Sequence, residues 1–222
     1  MSISARFQLL QQLHQKAAGT SLRAISAPLS LPELHSPSTQ LLARQLITTM
    51  QRERGVGLAA AQVGRNVRMF VAELDEGYEH EEEDAVAMQA QRTSRSNSER
   101  SSSGGGKGSL LPRLVSKLSG SSCRPQPSIV INPRIIRSSS RLFLGVEGCL
   151  SLPGLVGRVP RPDCIDVSYL DGSGQLVNQT LRGFRARIFA HEVDHLNGVL
   201  FIDKLKEPKH IWTDESFPDE KL

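Results

Sequence analysis

The sequence predicts an α+β domain, on three observations. Two segments, one early and one late, carry apolar residues at helical spacing. Between them lie short runs with the alternation and glycine punctuation of strands. Two of these runs flank Asp171-Gly172-Ser173-Gly174, the signature of a hairpin.

At 222 residues the chain is long enough for one domain with a sizeable core, plus extensions. Hydrophobic residues at 38% and charged residues at 23% are ordinary for a soluble globular chain. The formal charge is +4, and no run concentrates arginine and lysine with aromatics, so no direct contact with nucleic acid is expected. No apolar stretch approaches the roughly 20 residues needed for a membrane span. Cys123, Cys149 and Cys164 leave an odd thiol and no close pair, which argues for a reducing compartment.

Residues 1–36 read as an N-terminal extension. Arg6, Lys16 and Arg23 occur with no acid before Glu33, and Phe7, Leu10, Leu13 and Ala17 share one helical face. That is the composition of a transit peptide; the same periodicity also suits a surface helix of the fold. "SPSTQLLARQLITTMQRERG" then starts with Ser and Pro, places Leu42, Leu46, Ile47 and Met50 on one face, and stops at Gly55, a capped amphipathic helix that should pack on a sheet. "NVRMFVAEL" reads as a strand with Val67, Met69 and Val71 alternating against Arg68 and Phe70.

Residues 79–126 change character: an acidic run, then Ser and Arg, then three glycines. Such text cannot bury enough apolar surface to offset its ordering entropy, so it reads as a disordered low-complexity insertion within a domain made of residues 37–78 and 127–205. His80 and Cys123 within it read as solvated. Strand-like text resumes at "SIVINPRII", followed by "RLFLGVEGCLSLPG", a strand broken by glycines, and the hairpin "CIDVSYL" and "QLVNQTL". "GFRARIFAHEVDHLNG" puts Phe184, Ile188, His191, Glu192 and His195 at helical spacing, with Asn197 and Gly198 as a stop. Residues 206–222, with Pro208 and Pro218, read as a mostly irregular tail.

On a helix His191 and His195 lie one turn apart and can share one cation, while Glu192 is turned by about 100°. His-Glu-x-x-His is used in this way, with the carboxylate beside a water that the metal acidifies. A surface or core-edge helix with two hydrogen-bonded histidines is the bland alternative. Burying Glu192 beside that face without a purpose would be expensive. Asp194 points away, as a solvated or supporting residue. A third ligand is required, and Cys149, Cys164, His210, His14, His35 and acids throughout the chain are candidates. Cys149 stands out between Gly148 and Leu150, where the backbone can approach a ligand closely; Cys164 reads as a small buried hydrophobe. "GVGLAAAQVG" reads either as a close-packing loop or as a glycine-shaped wall with the Gln62 amide aimed into a pocket; it lacks the spacing of a phosphate loop.

Together, "GVGLAAAQ" from Gly55 to Gln62, "EGCLS" from Glu147 to Ser151 and "HEVDHLNG" from His191 to Gly198 resemble, in order, the three motifs of the peptide deformylase family. The likeness extends through "INPRII", "GRVPR" and "GVLF" but not to the family's Pro-Asp-x-x-Leu-Arg text near the N-terminus. The resemblance implies antiparallel curved sheets packed around a central metal-binding helix. It implies one divalent metal, Fe(II) first, with Zn, Ni or Co as replacements, on Cys149, His191 and His195. The implied reaction is removal of the N-formyl group from the starting methionine of new proteins, releasing formate. Glu192 would be the general base, and Gln62 with the Leu150 N–H would stabilise the oxyanion. Val56, Gly57 and Gly148 would hold the peptide extended, and Leu150, Ile188 and His191 would border the methionine pocket.

N-formyl-methionyl peptides, including nascent chains at the ribosome, are the expected partners. The N-terminal composition and the insertion favour an organellar member, in the matrix of a mitochondrion or other organelle, with a bacterial cytoplasm as the alternative. A paralogue that binds metal and peptide without turnover would show damage to Glu192, Gln62 or the ligands, and none is visible. A zinc peptidase fits poorly, because "EGCLS" supplies a thiolate that such enzymes usually lack.

Overall fold

A computed structural model describes residues 21–74 and 126–213, together with residues 2, 5, 8, 9, 11 and 12. Of the sequence expectations, the insertion up to residue 125, the helical face of Phe7, Leu10, Leu13 and Ala17, and His14, His80 and Cys123 lie outside the described residues.

Ahead of the first strand lie the helices α1 (Leu31–Leu34) and α2 (Pro37–Arg52). Ser36 caps α2, its hydroxyl accepting from the Thr39 N–H at 3.3 Å, with Pro37 set where a missing N–H costs nothing. Leu42, Leu46 and Met50 are buried as their spacing predicts, and Ile47 is half-buried. The helix ends at Arg52, three residues before Gly55. The Gly55 N–H donates to the Met50 carbonyl at 2.8 Å and that of Arg54 to Gln51 at 3.1 Å, the paired bonds of a Schellman cap. Arg54 therefore takes the left-handed position, with φ 57°, at a cost of about 1–2 kcal/mol for a residue with a Cβ. Gly55 is needed for another reason: a Cβ there would lie 3.0 Å from Leu150 Cδ1.

The strands form two antiparallel sheets. β1 (Gly57–Ala59), β2 (Met69–Ala72), β3 (Ser128–Ser138), β6 (Cys164–Leu170) and β7 (Leu176–Arg182) make one, in the order β1-β2-β3-β6-β7. β4 (Leu142–Gly148), β5 (Leu155–Pro162) and β8 (Ile211–Thr213) make the other, in the order β4-β5-β8. Register shifts between β3 and β6 mark bulges that bend the larger sheet. Every β2 residue is buried, so Phe70 does not face solvent as simple alternation suggested. Phe70 and Ala72 enter the cluster around the last helix, whereas Met69 and Val71 enter the cluster under α2.

That last helix, α3 (Gly183–Leu196), touches strands of both sheets, including β1, β2, β5 and β7. Twelve of its 14 residues are buried, so it is a central helix rather than one with a single buried stripe. Phe189 meets Phe70 edge to face with ring centres 5.2 Å apart. Gly198 ends the helix with φ 72°, and a Cβ there would lie 2.5 Å from the Arg23 carbonyl.

Two expected boundaries move. Leu34 is fully buried and Leu29 nearly so, the Ser26 N–H donates to the Leu196 carbonyl at 2.9 Å, and Arg23 pairs with Asp203. Residues from Ser21 to Ser36 thus belong to the folded body, not to an extension ending at residue 36; low acidity reports composition, whereas burial depends on distant partners. The tail does likewise, since β8 pairs with β5 and buries Ile211 and Trp212. Leu46, 1% exposed between α2 and the large sheet, offers a test of this packing. Leu46→Ala should lower the unfolding free energy in urea by about 2–5 kcal/mol.

Candidate metal centre

Three elements bring the motifs together. β1 and the short turn after it carry Gly57 and Gln62; the end of β4 carries Glu147, Gly148 and Cys149; and α3 carries His191, Glu192 and His195. Cys149 follows the last residue of β4, where the strand turns away and its side chain meets the helix. Cys149, His191 and His195 are buried, and one donor atom of each lies within 4.8 Å of the others. Cys149 Sγ is 3.2 Å from His195 Nε2. Among the described residues this is the one such group; Cys164, His35 and His210 lie outside it.

The donors suit a cation. A sulfur and two imidazole nitrogens are the ligands of zinc or iron rather than of magnesium or calcium, and three of them leave a position open. Burial alone would raise the Cys149 thiol, but the charge of His195 and hydrogen bonds from both histidines outweigh it and hold the group well below the usual thiol range. A buried thiolate needs positive charge beside it. The Oε2 atom of Glu192 is also buried without a partner and adjoins this group, as expected of a carboxylate whose hydrogen-bond partner is a reactant.

Glu147 organises the centre. Arg161 donates to both its oxygens, at 2.8 Å and 2.9 Å, Arg187 Nη1 donates to Oε1 at 2.9 Å, and His191 Nδ1 donates to Oε2 at 2.8 Å. That last bond fixes the tautomer of His191 and leaves Nε2 for a metal. Burial works against the Glu147 charge, but Arg161 and His191 outweigh it and hold the carboxyl well below its ordinary value. His191 is pushed well above its ordinary value: its bonds to Cys149 and Glu147, and their charges, outweigh burial. Arg161 also pairs with Asp194, which is 13% exposed and bound by Lys204 at 3.5 Å, so Asp194 supports the centre rather than standing in solvent.

Gln62 is oriented by its own turn. Its Oε1 accepts from the Ala59 N–H at 2.8 Å, which aims Nε2 at Ser151 Oγ, 3.1 Å away, and at Cys149 Sγ, 3.5 Å away. Gly57 lies against Glu192: a Cβ there would sit 2.3 Å from Oε1. Burial raises Glu192 to about 7, against the lowering effect of His191 and His195.

Of the expected residues, Gly57, Gln62, Gly148, Cys149, Leu150, His191 and Glu192 border one pocket. Val56 and Ile188 do not line it; both are buried in the central cluster, and the Val56 carbonyl accepts from the Glu73 N–H at 2.9 Å. The sequence reading assigned no role to Glu147, Arg161, Arg187 or Ser151. Glu147 and Ser151 were visible inside "EGCLS", Arg161 inside "GRVPR", and Arg187 lies one turn before His191 on the same helical face.

The polypeptide deformylase family matches residues 12–210. Peptide deformylase 2 of Nostoc sp. is 34% identical over 186 residues, spanning 84% of this chain and 82% of its own length. Peptide deformylase of Thermus thermophilus is 36% identical over 170 residues, spanning 76% and 70%. Among solved structures, the class I type b peptide deformylase of Acinetobacter baumannii bound to Met-Ala-Ser superposes with a TM-score of 0.59 at 31% identity, over 83% of this chain and 92% of that one. The Synechococcus elongatus enzyme in complex with actinonin gives 0.59 at 29% identity, over 86% and 76%.

Replacing Glu147 by Gln leaves two buried guanidinium groups without their carboxylate, which should cost about 3–5 kcal/mol in the metal-free protein. Because the folded pKa of Glu147 lies below 4.5, its contribution is full above that pH and fades as pH falls through the folded value. Glu147→Gln should therefore flatten the acid limb of a urea stability profile. It should also weaken metal binding by about 10–100-fold in a chelator competition.

Proposed function

The chain belongs to the polypeptide deformylase family, and we propose how its own residues carry the reaction. The protein is a metallohydrolase that removes the formyl group from the N-terminal methionine of new polypeptides and releases formate. The observation that supports the residue roles is the buried Cys149, His191 and His195 group with Glu192 beside it.

Cys149, His191 and His195 hold a divalent metal, which supplies Lewis acidity, lowering the pKa of water and polarising a carbonyl. Glu192 takes the proton of the attacking water and returns it to the amine nitrogen as the carbon–nitrogen bond of the formamide breaks. A carboxyl near 7 is matched to both tasks at neutral pH. Gln62 Nε2, fixed by the Ala59 N–H, donates to the oxygen on which negative charge develops, and the Leu150 N–H serves the same oxygen. Arg161 and Arg187 hold His191 in place through Glu147, and Arg161 also pairs with Asp194. Gly57 and Gly148 let an extended peptide approach, as the Met-Ala-Ser bound to the Acinetobacter baumannii relative supports. Methionine occupies the pocket beside Leu150.

The finer reading is Fe(II) as the native metal, with Zn, Ni or Co able to replace it; a thiolate with two imidazoles supports iron and zinc alike. We place the protein in the matrix of a mitochondrion or another organelle, acting on nascent chains at the ribosome. The absence of acids from the residues before Ser21 supports a transit peptide confined to that stretch. Among the described residues no helix is long and apolar enough to cross a membrane.

Formate release from formyl-Met-Ala-Ser by protein purified without oxygen tests this reading. Glu192→Ala should retain metal and lose about 10²–10⁴-fold in turnover. Near-normal turnover by that variant would show the base to be another group. Gln62→Leu should lose about 10²–10³-fold with metal still bound, whereas His195→Ala should fail to hold metal at all.

A further inference from the structure

We propose that Arg54 selects substrates by charge, favouring peptides with an acidic side chain one or two residues beyond the formyl-methionine. The inference rests on the deformylase reading and extends it from the methionine pocket to the sequence that follows.

Backbone geometry provides the first observation. Arg54 occupies the left-handed position of the cap that ends α2, with φ 57°, where glycine would remove the strain. A side chain kept in a disfavoured conformation points to a use for it, and strained residues of this kind cluster at functional sites. Location is the second. Arg54 lines the same pocket as Gly55, Gly57, Leu150 and Glu192, at its exposed rim. Charge is the third. The adjacent carboxylate of Glu53 is taken by Arg52, whose Nε donates to it at 2.9 Å, and among the described residues no acid pairs with Arg54.

Reach fixes the substrate position. Gly57, three residues beyond Arg54, lies directly against Glu192, at the reacting centre. Arg54 and Glu192 border the same pocket, and an extended substrate advances about 3.3 Å per residue, so it crosses a pocket of this kind within two or three residues. A substrate whose formyl group is at Glu192 and whose backbone runs along this wall brings its second or third residue beside the Arg54 guanidinium. An exposed rim charge of this kind discriminates modestly and responds to salt.

The test uses full-length, metal-loaded protein and C-terminally amidated peptides, so that no terminal carboxylate competes. Formyl-Met-Asp-Ala-Ser and formyl-Met-Ala-Asp-Ser amides are compared with their Lys counterparts by kcat/KM for formate release. Affinities of the deformylated products are measured alongside by calorimetry. The wild type should prefer Asp over Lys by about 3- to 10-fold at one of the two positions, through KM, with the preference shrinking as salt rises. In Arg54→Gly, which suits the backbone, the ratio should fall to about one; in Arg54→Glu it should invert. A wild-type ratio of one, or the same ratio in all three proteins, overturns the proposal. If no peptide yields formate the deformylase reading fails, and the product affinities still decide the role of Arg54: equal affinities, or no binding, overturn it.

Discussion

A single buried carboxylate holds the catalytic half of this molecule together. Glu147, 3% exposed, accepts hydrogen bonds from Arg161 on β5 and from Arg187 and His191 on α3, and so ties the small sheet to the central helix. Two guanidinium groups and an imidazole in one apolar interior would repel one another without it. With it, each has an anionic partner and each is oriented. The cost of desolvating these charges is large, which makes the network a device for position more than for net stability. What it positions is His191 Nε2 and, through Asp194, the turn of helix that ends in His195.

Glycines complete the same geometry from the other side. Gly145 admits Arg187, whose Nη2 would lie 2.5 Å from a Cβ there, and Gly57 admits Glu192 in the same way. Both are positions where charged atoms press against bare backbone. The larger sheet delivers Gly57 and Gln62, the smaller one Cys149, and α3 touches both sheets. The centre therefore exists only when both sheets are closed onto the helix. Burial of that helix on almost every side is the structural expression of this requirement, and it raises Glu192 into the range useful for proton transfer.

The rim follows different rules from the interior. Arg54 keeps a conformation that glycine would adopt more easily, in a turn closed by its own N–H bond to Gln51 and that of Gly55 to Met50. Inside the pocket the charged groups are matched by a partner or by the chemistry; at its edge Arg54 faces solvent, with no acidic partner among the described residues. That division suits an enzyme that must treat one end of its substrate strictly and the remainder loosely.

Much of the candidate site was legible in the sequence because its parts are local. The i, i+4 spacing of His191 and His195 places both imidazoles on one helical face whatever surrounds them, and the thiol of Cys149 between a glycine and a leucine announced a close approach. The stripe on α2 and the hairpin around Asp171 were equally local, set by helical and strand periods. Tertiary structure alone decided the rest. It made β2 buried on both faces, since clusters from different parts of the chain cover each side. It drew residues 21–36 and β8 into the body, because their partners, Leu196, Asp203 and β5, are far away in sequence. It also gave Glu147 its four hydrogen bonds: side chains 14, 40 and 44 residues distant converge on it, and no periodicity in a single segment can encode a contact of that kind.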